Sequence, residues 1–287
     1  MSNDQSIHRV AVLGAGTMGN GIAQVCAMAG YEVALHDPQP GAVERALGTI
    51  RGNLDKGVER GKVTAEARET ALGNLRDAAD FAAAAADADL VIEAVPERME
   101  IKTSLFAELD RVTPAHAVLA TNTSSLSVSR IAQATGRAER VIGLHFFNPV
   151  HIMKLLEVVR GHGTSQATVD ASLAFARRIG KEPIVVTDTP GFASSRLGVV
   201  LGLEAMRMVE QGVASPPDID KAMELGYNHP MGPLKLTDLV GLDVRLGIAE
   251  YLHRELGGDQ YAAPELLKRM VAEGKLGKKS GEGFYKW

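Results

Sequence analysis

One cysteine, one tryptophan and an aromatic content of 5% are all that 287 residues hold of the types that staple or plate a small fold. With Cys26 alone, no intrachain disulfide can form, which excludes a disulfide-stapled scaffold and fits a reducing compartment. Its surroundings, IAQVCAMAG, are apolar with helical character, so Cys26 reads as an inert packing thiol. Uninterrupted apolar runs of about 18 residues are missing, and no membrane-spanning helix is expected. The opening MSNDQSIHRV has no apolar core of signal-peptide length. An excess of either charge is missing too. Lys and Arg number 31 against 35 Asp and Glu, a net charge of −4, which gives no general attraction to nucleic acid or to an anionic membrane. Any anionic ligand must be caught by a local feature. A cytoplasmic protein with no nucleic-acid or membrane partner and no metal centre is expected.

What remains is ordinary in amount, with 45% hydrophobic and 23% charged residues, and informative in its order. HRVAVLG is a β-branched run closed by glycine and suits a buried strand. TMGNGIAQVCAMAG follows with apolar residues at Met18, Ile22 and Val25, a helical repeat, and YEVALHD is a second strand. This strand–helix–strand unit implies a right-handed crossover in a parallel sheet. ADLVIEAVP, HAVLATN and RVIGLHF read as further buried strands, with helices at 40–59, 64–72, 98–112 and 127–134; two later strands, MKLLEVVRG and EPIVVTD, flank a helix at 166–179. After Asp188 the pattern changes. TDTPGF is a break, and beyond it helices dominate at 192–212, 217–225, 235–255 and 263–273. The expected fold is α/β: a Rossmann-type, doubly wound, mostly parallel sheet over 1–189 and an all-helical domain over 190–287.

GAGTMG sets Gly14, Gly16 and Gly19 in G-x-G-x-x-G spacing, with Thr17 and Met18 between them. Glycine triplets are common in loops, but this one lies between a strand and a helix, the context that gives the motif meaning. Gly14 permits the tight turn, Gly16 lets a pyrophosphate approach the backbone, and Gly19 lets helix and strand pack closely. The free N–H groups of the helix start then face the phosphates. Asp37 ends the second strand, where a carboxylate accepts from ribose hydroxyls and repels a 2′-phosphate, which predicts NAD rather than NADP. A strand-end turn aspartate is the plainer reading.

A nicotinamide cofactor needs a proton partner when an alcohol loses hydride. In VIGLHFFNPVHIMKLLE, His145 ends a strand of the parallel sheet, where ligands bind, and histidine titrates near working pH. The chain returns through KLLEVV, which can bring Glu157 back beside the ring to fix its tautomer. A satisfied core histidine and an ordinary carboxylate are the alternatives.

GAGTMGNGIAQVCAMAGYEVALHD, VIEAVPE, TNTSSLSVS, HFFNPVHIMKLLEVV, DTPGF, MGPLKLTDLVGLD and the final GKKSGEGFYKW together resemble the L-3-hydroxyacyl-CoA dehydrogenase family, most of all its bacterial 3-hydroxybutyryl-CoA members. The likeness runs from the first strand to the last residue. It implies NAD-dependent oxidation of a (S)-3-hydroxyacyl-CoA to the 3-oxoacyl-CoA and the reverse, an acyl-CoA substrate, and a homodimer formed through the helical domain, which also closes over the substrate. His145 stands at the family's catalytic histidine, Glu157 at its paired carboxylate, and Ser124 at the hydroxyl that contacts the reacting oxygen. Glu97, Lys102, Asn122 and Asn148 match positions near the cofactor's ribose and nicotinamide, and Lys279 matches a C-terminal lysine associated with NAD. Lys56 stands where the family has a lysine near coenzyme A, with Arg51, Arg60 and Lys62 nearby. A solvated helix face with Arg51 and Asp55 at i, i+4 spacing is the alternative there. One departure is evident: many members carry an active-site asparagine before the arginine that follows PGF, and here PGFASSRL puts Ser195 in its place. A 3-hydroxyacid dehydrogenase using a catalytic lysine, a sugar-acid dehydrogenase of related topology and a catalytically silent homologue are the rival readings.

Overall fold

The computed structural model describes residues 7–287, so the reading of the first six residues as free of a leader lies outside the described residues. The chain divides into two compact units, Met1–Asp188 and Thr189–Trp287.

In the first unit the order is β1 (Arg9–Leu13), α1 (Thr17–Met28), β2 (Glu32–His36), α2 (Ala42–Glu59), α3 (Ala65–Gly73), β3 (Leu75–Asp77), α4 (Phe81–Ala85) and β4 (Leu90–Glu93). Then come α5 (Met99–Val112), β5 (Val118–Thr121), α6 (Val128–Ala132), β6 (Val141–Phe146), β7 (Leu155–Arg160), α7 (Gln166–Arg178) and β8 (Glu182–Thr187). The eight strands form one sheet in the order β3-β2-β1-β4-β5-β6-β7-β8. All neighbours are parallel except β6 and β7, which run antiparallel in the register Leu144↔Val158, His145↔Glu157 and Phe146↔Leu156. β1 pairs with β2 on one side and β4 on the other, so the winding reverses there and opens a crevice beyond the carboxyl ends.

The sequence explains this sheet. LVIE, VLAT and VIGLHF are buried along their whole length, as strands covered by helices on both faces must be. The covering helices show the complementary stripe: α2 buries Val43, Ala46, Ile50 and Leu54 and leaves Arg51 and Lys56 in water. Truncating Ile50 to alanine would remove about 2–5 kcal/mol of packing. Cys26 is buried inside α1, and burial pushes its thiol up, away from reactivity.

The second unit holds α8 (Ser194–Glu210), α9 (Pro216–Gly226), α10 (Pro233–Val240), α11 (Leu242–Leu256) and α12 (Glu265–Ala272) around Val199, Leu203, Met206, Leu234 and Leu252. Ser215 caps α9 by accepting from the Asp218 N–H, with Pro216 at the first helical position. The single helix expected over 235–255 is two. Gly241 sits between them at φ +103°, where a side chain would be strained, and the chain turns instead of continuing. Two buried aspartates fasten the last residues: Asp238 accepts from the backbone N–H of Phe284 and Tyr285 and from Trp287 Nε1, each at 2.9 Å. Asp220 accepts from the N–H groups of Leu234 and Lys235 at the start of α10 and from Tyr285 Oη at 2.6 Å. No helix among the described residues is long and apolar enough to cross a membrane.

Candidate active site

The glycine turn after β1 has the properties its spacing predicts. Gly14 lies at φ +102°, and a Cβ there would stand 2.5 Å from the Ala94 carbonyl oxygen. A Cβ on Gly19 would meet the Gly14 oxygen at 1.7 Å, so only glycine lets α1 pack this close to β1. At Gly16 the same atom would meet nothing within 4 Å: the backbone faces open space at the first turn of α1. Thr17 and Met18 begin that turn, which carries no acidic side chain to compete for its N–H groups.

Asp37 follows β2. Its Oδ2 accepts from the Ala15 N–H at 2.8 Å and its Oδ1 from the Gln39 N–H at 2.9 Å, which ties the end of β2 to the glycine turn. A cavity of about 300 Å³ beside it is lined by Asp37, Pro38, Gln39, Gly41 and Ala78. An open backbone cradle, a bare helix start and a carboxylate bordering a cavity fit a dinucleotide.

Beyond the ends of β4, β5 and β6 the polar side chains interlock. Glu93, the last residue of β4, is 0% exposed; its Oε1 accepts from Lys102 Nζ at 2.5 Å and its Oε2 from Thr121 Oγ1 at 2.6 Å. Burial raises this carboxyl above its ordinary value, against the opposing pull of Lys102 and the hydrogen bonds. Lys102, on the first turn of α5, is 1% exposed rather than a solvated surface residue, and its ammonium also lies 3.3 Å from Glu97 Oε2. Glu97 Oε1 in turn accepts from Thr123 Oγ1 at 2.6 Å, from the Ser124 N–H at 2.9 Å and from Ser124 Oγ at 3.3 Å. Asn122 Oδ1 accepts from the Phe146 N–H at 2.9 Å, beside His145.

The antiparallel turn from β6 to β7 does what a parallel neighbour would not: it sets His145 directly opposite Glu157. His145 Nδ1 and Glu157 Oε2 are 2.7 Å apart, with the two residues 6% and 0% exposed. The ring also packs against Phe147, centroids 4.4 Å apart and tilted by 45°. A carboxylate on Nδ1 puts the proton there in the neutral ring and leaves proton exchange to Nε2. Asn148 is exposed in the turn after β6.

Lys56 is exposed on α2, and the Arg51–Asp55 pair of the alternative reading is replaced by Asp55 with Arg68 of α3, at 2.6 Å. Ser195 and Lys279 belong to the second unit. Ser195 is in the first turn of α8, and Lys279 Nζ is 2.6 Å from Asp243 Oδ2 on α11. Glu93 went unnoticed in the sequence, although VIEAVPE shows a carboxylate ending a strand that is otherwise wholly apolar.

A dinucleotide cradle and an imidazole–carboxylate pair on one Rossmann sheet define the class of NAD-linked oxidoreductases. The chain belongs to the 3-hydroxyacyl-CoA dehydrogenase family: residues 9–189 match its NAD binding domain and residues 191–287 its C-terminal domain. It is 46% identical over 282 residues to a probable 3-hydroxybutyryl-CoA dehydrogenase of Deinococcus radiodurans, covering 97% of this chain and 100% of that one. Among solved structures it resembles FadB2 of M. tuberculosis (46% identity, TM-score 0.94, covering 98% of this chain and 99% of the other). It also resembles the (S)-3-hydroxybutyryl-CoA dehydrogenase PaaH1 of Ralstonia eutropha (40% identity, TM-score 0.95, 98% and 99% covered).

Proposed function

We propose that this chain interconverts (S)-3-hydroxyacyl-CoA and 3-oxoacyl-CoA with NAD, acting on short acyl chains such as 3-hydroxybutyryl-CoA, with His145 as the general base and acid. The observation that carries the reading is the 2.7 Å contact between His145 Nδ1 and buried Glu157 at the carboxyl end of β6. The relatives named as 3-hydroxybutyryl-CoA dehydrogenases support the short chain.

In oxidation the C3 hydroxyl proton passes to His145 Nε2 as hydride leaves C3 and the C3–O bond becomes a carbonyl. Glu157 holds the tautomer that makes Nε2 the acceptor and stabilises the imidazolium that results. Ser124 turns its O–H from its long contact with Glu97 to the substrate oxygen and steadies the charge developing there. Bound NAD supplies the hydride acceptor. The cradle at Gly14, Gly16 and Gly19 and the carboxylate of Asp37 hold it, while Glu97, Lys102, Asn122 and Asn148 line its nicotinamide end. In reduction the same imidazolium polarises the ketone and returns the proton. Ser195 takes the place of the family's asparagine toward the substrate, Lys56 serves coenzyme A, and Lys279 serves NAD. The protein works in the cytoplasm as a homodimer.

The test is a spectrophotometric panel following NADH and NADPH oxidation with acetoacetyl-CoA and longer 3-oxoacyl-CoAs. Turnover of acetoacetyl-CoA with NADH at least tenfold above NADPH is expected. Turnover of gulonate or a free 3-hydroxyacid with no activity on the thioesters would overturn the reading. Sedimentation showing only monomer at micromolar concentration would reject the dimer.

A further inference from the structure

The first unit contains a buried cation that nothing in the proposed reaction uses. Lys181, just before β8, is 8% exposed. Its ammonium donates to the carbonyl oxygen of Val150 and, at 2.7 Å, to that of Met153. Burial pulls its basicity below the ordinary value, and no carboxylate among the described residues acts on it. An ammonium buried with carbonyls alone is costly, and an apolar side chain of similar length would relieve that cost.

The sequence builds a firm seat for it. In RRIGKEP the helix α7 ends with Gly180 at φ +74°, and the N–H groups of Gly180 and Lys181 donate back to the Arg177 and Ala176 oxygens at 3.0 and 2.9 Å. One residue on, the Glu182 N–H donates to the Lys154 oxygen at 2.8 Å and β8 begins. Both backbone neighbours of the side chain are therefore fixed, beside the turn that joins β6 to β7.

That turn needs a donor from outside. Within it the N–H groups of Ile152 and Met153 both go to the Pro149 oxygen, at 3.0 and 2.9 Å, and the Val150 and Met153 oxygens are left to Lys181. On its other side the turn rests on α1: Val150 is 2% exposed, and a Cβ on Gly21 would stand 2.8 Å from the Val150 Cβ. The ammonium and the dinucleotide helix thus pin the turn between them. The same turn carries Asn148 and Phe147, whose ring packs on His145 at 4.4 Å between centroids.

We propose that Lys181 is a positioning residue for hydride transfer: it clamps the turn between β6 and β7 so that Phe147 and Asn148 are held in place around His145. The proposal rests on the function proposed above, in which His145 exchanges the proton and Asn148 lines the nicotinamide end. Without the ammonium the two oxygens swing toward water and carry the turn with them. A displacement of about 1 Å at a reacting centre costs up to about a hundredfold in rate.

The experiment follows acetoacetyl-CoA reduction by Lys181→Met and Lys181→Arg, with urea unfolding and NADH affinity by fluorescence measured on each. Lys181→Met should lose about 10- to 100-fold in kcat. Its urea midpoint should stay close to the parent's, since relief of the buried charge offsets the lost hydrogen bonds. Lys181→Arg keeps N–H donors and should recover part of kcat. In a Phe147→Ala, Asn148→Ala background, Lys181→Met should add less than about twofold. Gly21→Ala presses on Val150 with Lys181 intact and should also lower kcat. Parental kcat in Lys181→Met overturns the proposal, as does a full further loss in the Phe147→Ala, Asn148→Ala background. Should Lys181→Met fail to fold, parental kcat in Gly21→Ala overturns it instead. The two readings fail separately: a parent enzyme without acetoacetyl-CoA reduction sinks the dehydrogenase assignment, whereas an active parent with an equally active Lys181→Met sinks only the role of Lys181.

Discussion

Replacing Glu157 by glutamine keeps the shape of the pair with His145 and removes its charge. The parent contact, 2.7 Å between Nδ1 and Oε2, has the length of a charge-assisted bond once the ring is protonated. Such bonds contribute about 1.5–3 kcal/mol, against about 0.5–1.5 kcal/mol between neutral partners. The imidazolium formed in the reaction therefore loses roughly 1–2 kcal/mol of support, and turnover should fall about 5- to 30-fold. The loss is larger if the amide turns its NH₂ toward Nδ1, because the ring then carries its proton on the wrong nitrogen. Since Glu157 acts through His145, its effect should vanish where the ring is already gone. His145→Gln alone should lose about 10²–10⁴-fold, and His145→Gln with Glu157→Gln should lose no more. The assay is NADH formation from 3-hydroxybutyryl-CoA, with circular dichroism and NAD affinity as controls for the fold and the cradle. Turnover of Glu157→Gln within twofold of the parent, or losses that multiply in the double variant, would refute the proton-relay argument.

The other predictions separate local effects in the same way. Gly16→Ala puts a methyl into space empty for 4 Å, so unfolding stability should stay within about 0.5 kcal/mol while NAD affinity by calorimetry falls at least tenfold. Gly19→Ala sets a carbon 1.7 Å from the Gly14 oxygen and should lower both; unchanged melting would contradict the packing argument. Lys102→Met strips the cation from the buried Glu93 carboxylate and should destabilise the first unit by about 3–5 kcal/mol in urea unfolding, with less than 1 kcal/mol counting against it. Arg245→Met should do the reverse. Burial lowers this guanidinium well below its ordinary value, to about 10, an opposition on the order of a few kcal/mol. Because the charged form is the disfavoured one, that penalty is present in full below about pH 10 and fades above it. The variant should gain about 1–3 kcal/mol at pH 7, a constant amount from pH 6 to 9, and destabilisation at neutral pH would count against an unpaired charge.

How much of this was legible in the letters depends on the range of the interactions involved. The glycine turn was readable because its demands are local: φ at Gly14, clearance at Gly19 and access at Gly16 are each set within a few residues of chain. The position of Asp37 was readable for the same reason, just past the end of a strand that the motif itself locates. The pairing of His145 with Glu157 needed one step more, namely that the chain folds back after FFNP; the reversal of β7 against its parallel neighbour then sets the register. Gly241 hid the break in the last long helix because MGPLKLTDLVGLDVRLGIAEYL keeps its apolar period across the glycine, and only the positive φ reveals the interruption. Burial of Lys102 was out of reach, since a lysine on an amphipathic helix looks solvated until its counter-ion is known. That counter-ion, Glu93, ends the strand just before the helix, nine residues earlier in the chain, and its burial is itself explained only by Lys102, Thr121 and the Val95 N–H. Arg245 is the sharper case of the same physics. In the sequence it is one charge among 31 Lys and Arg residues, and its singularity consists in a buried Nε that finds no acceptor among the described residues. Local rules thus recover the cradle and place the histidine, whereas the groups whose charges are balanced across the structure, or left unbalanced by it, emerge only when the elements are assembled.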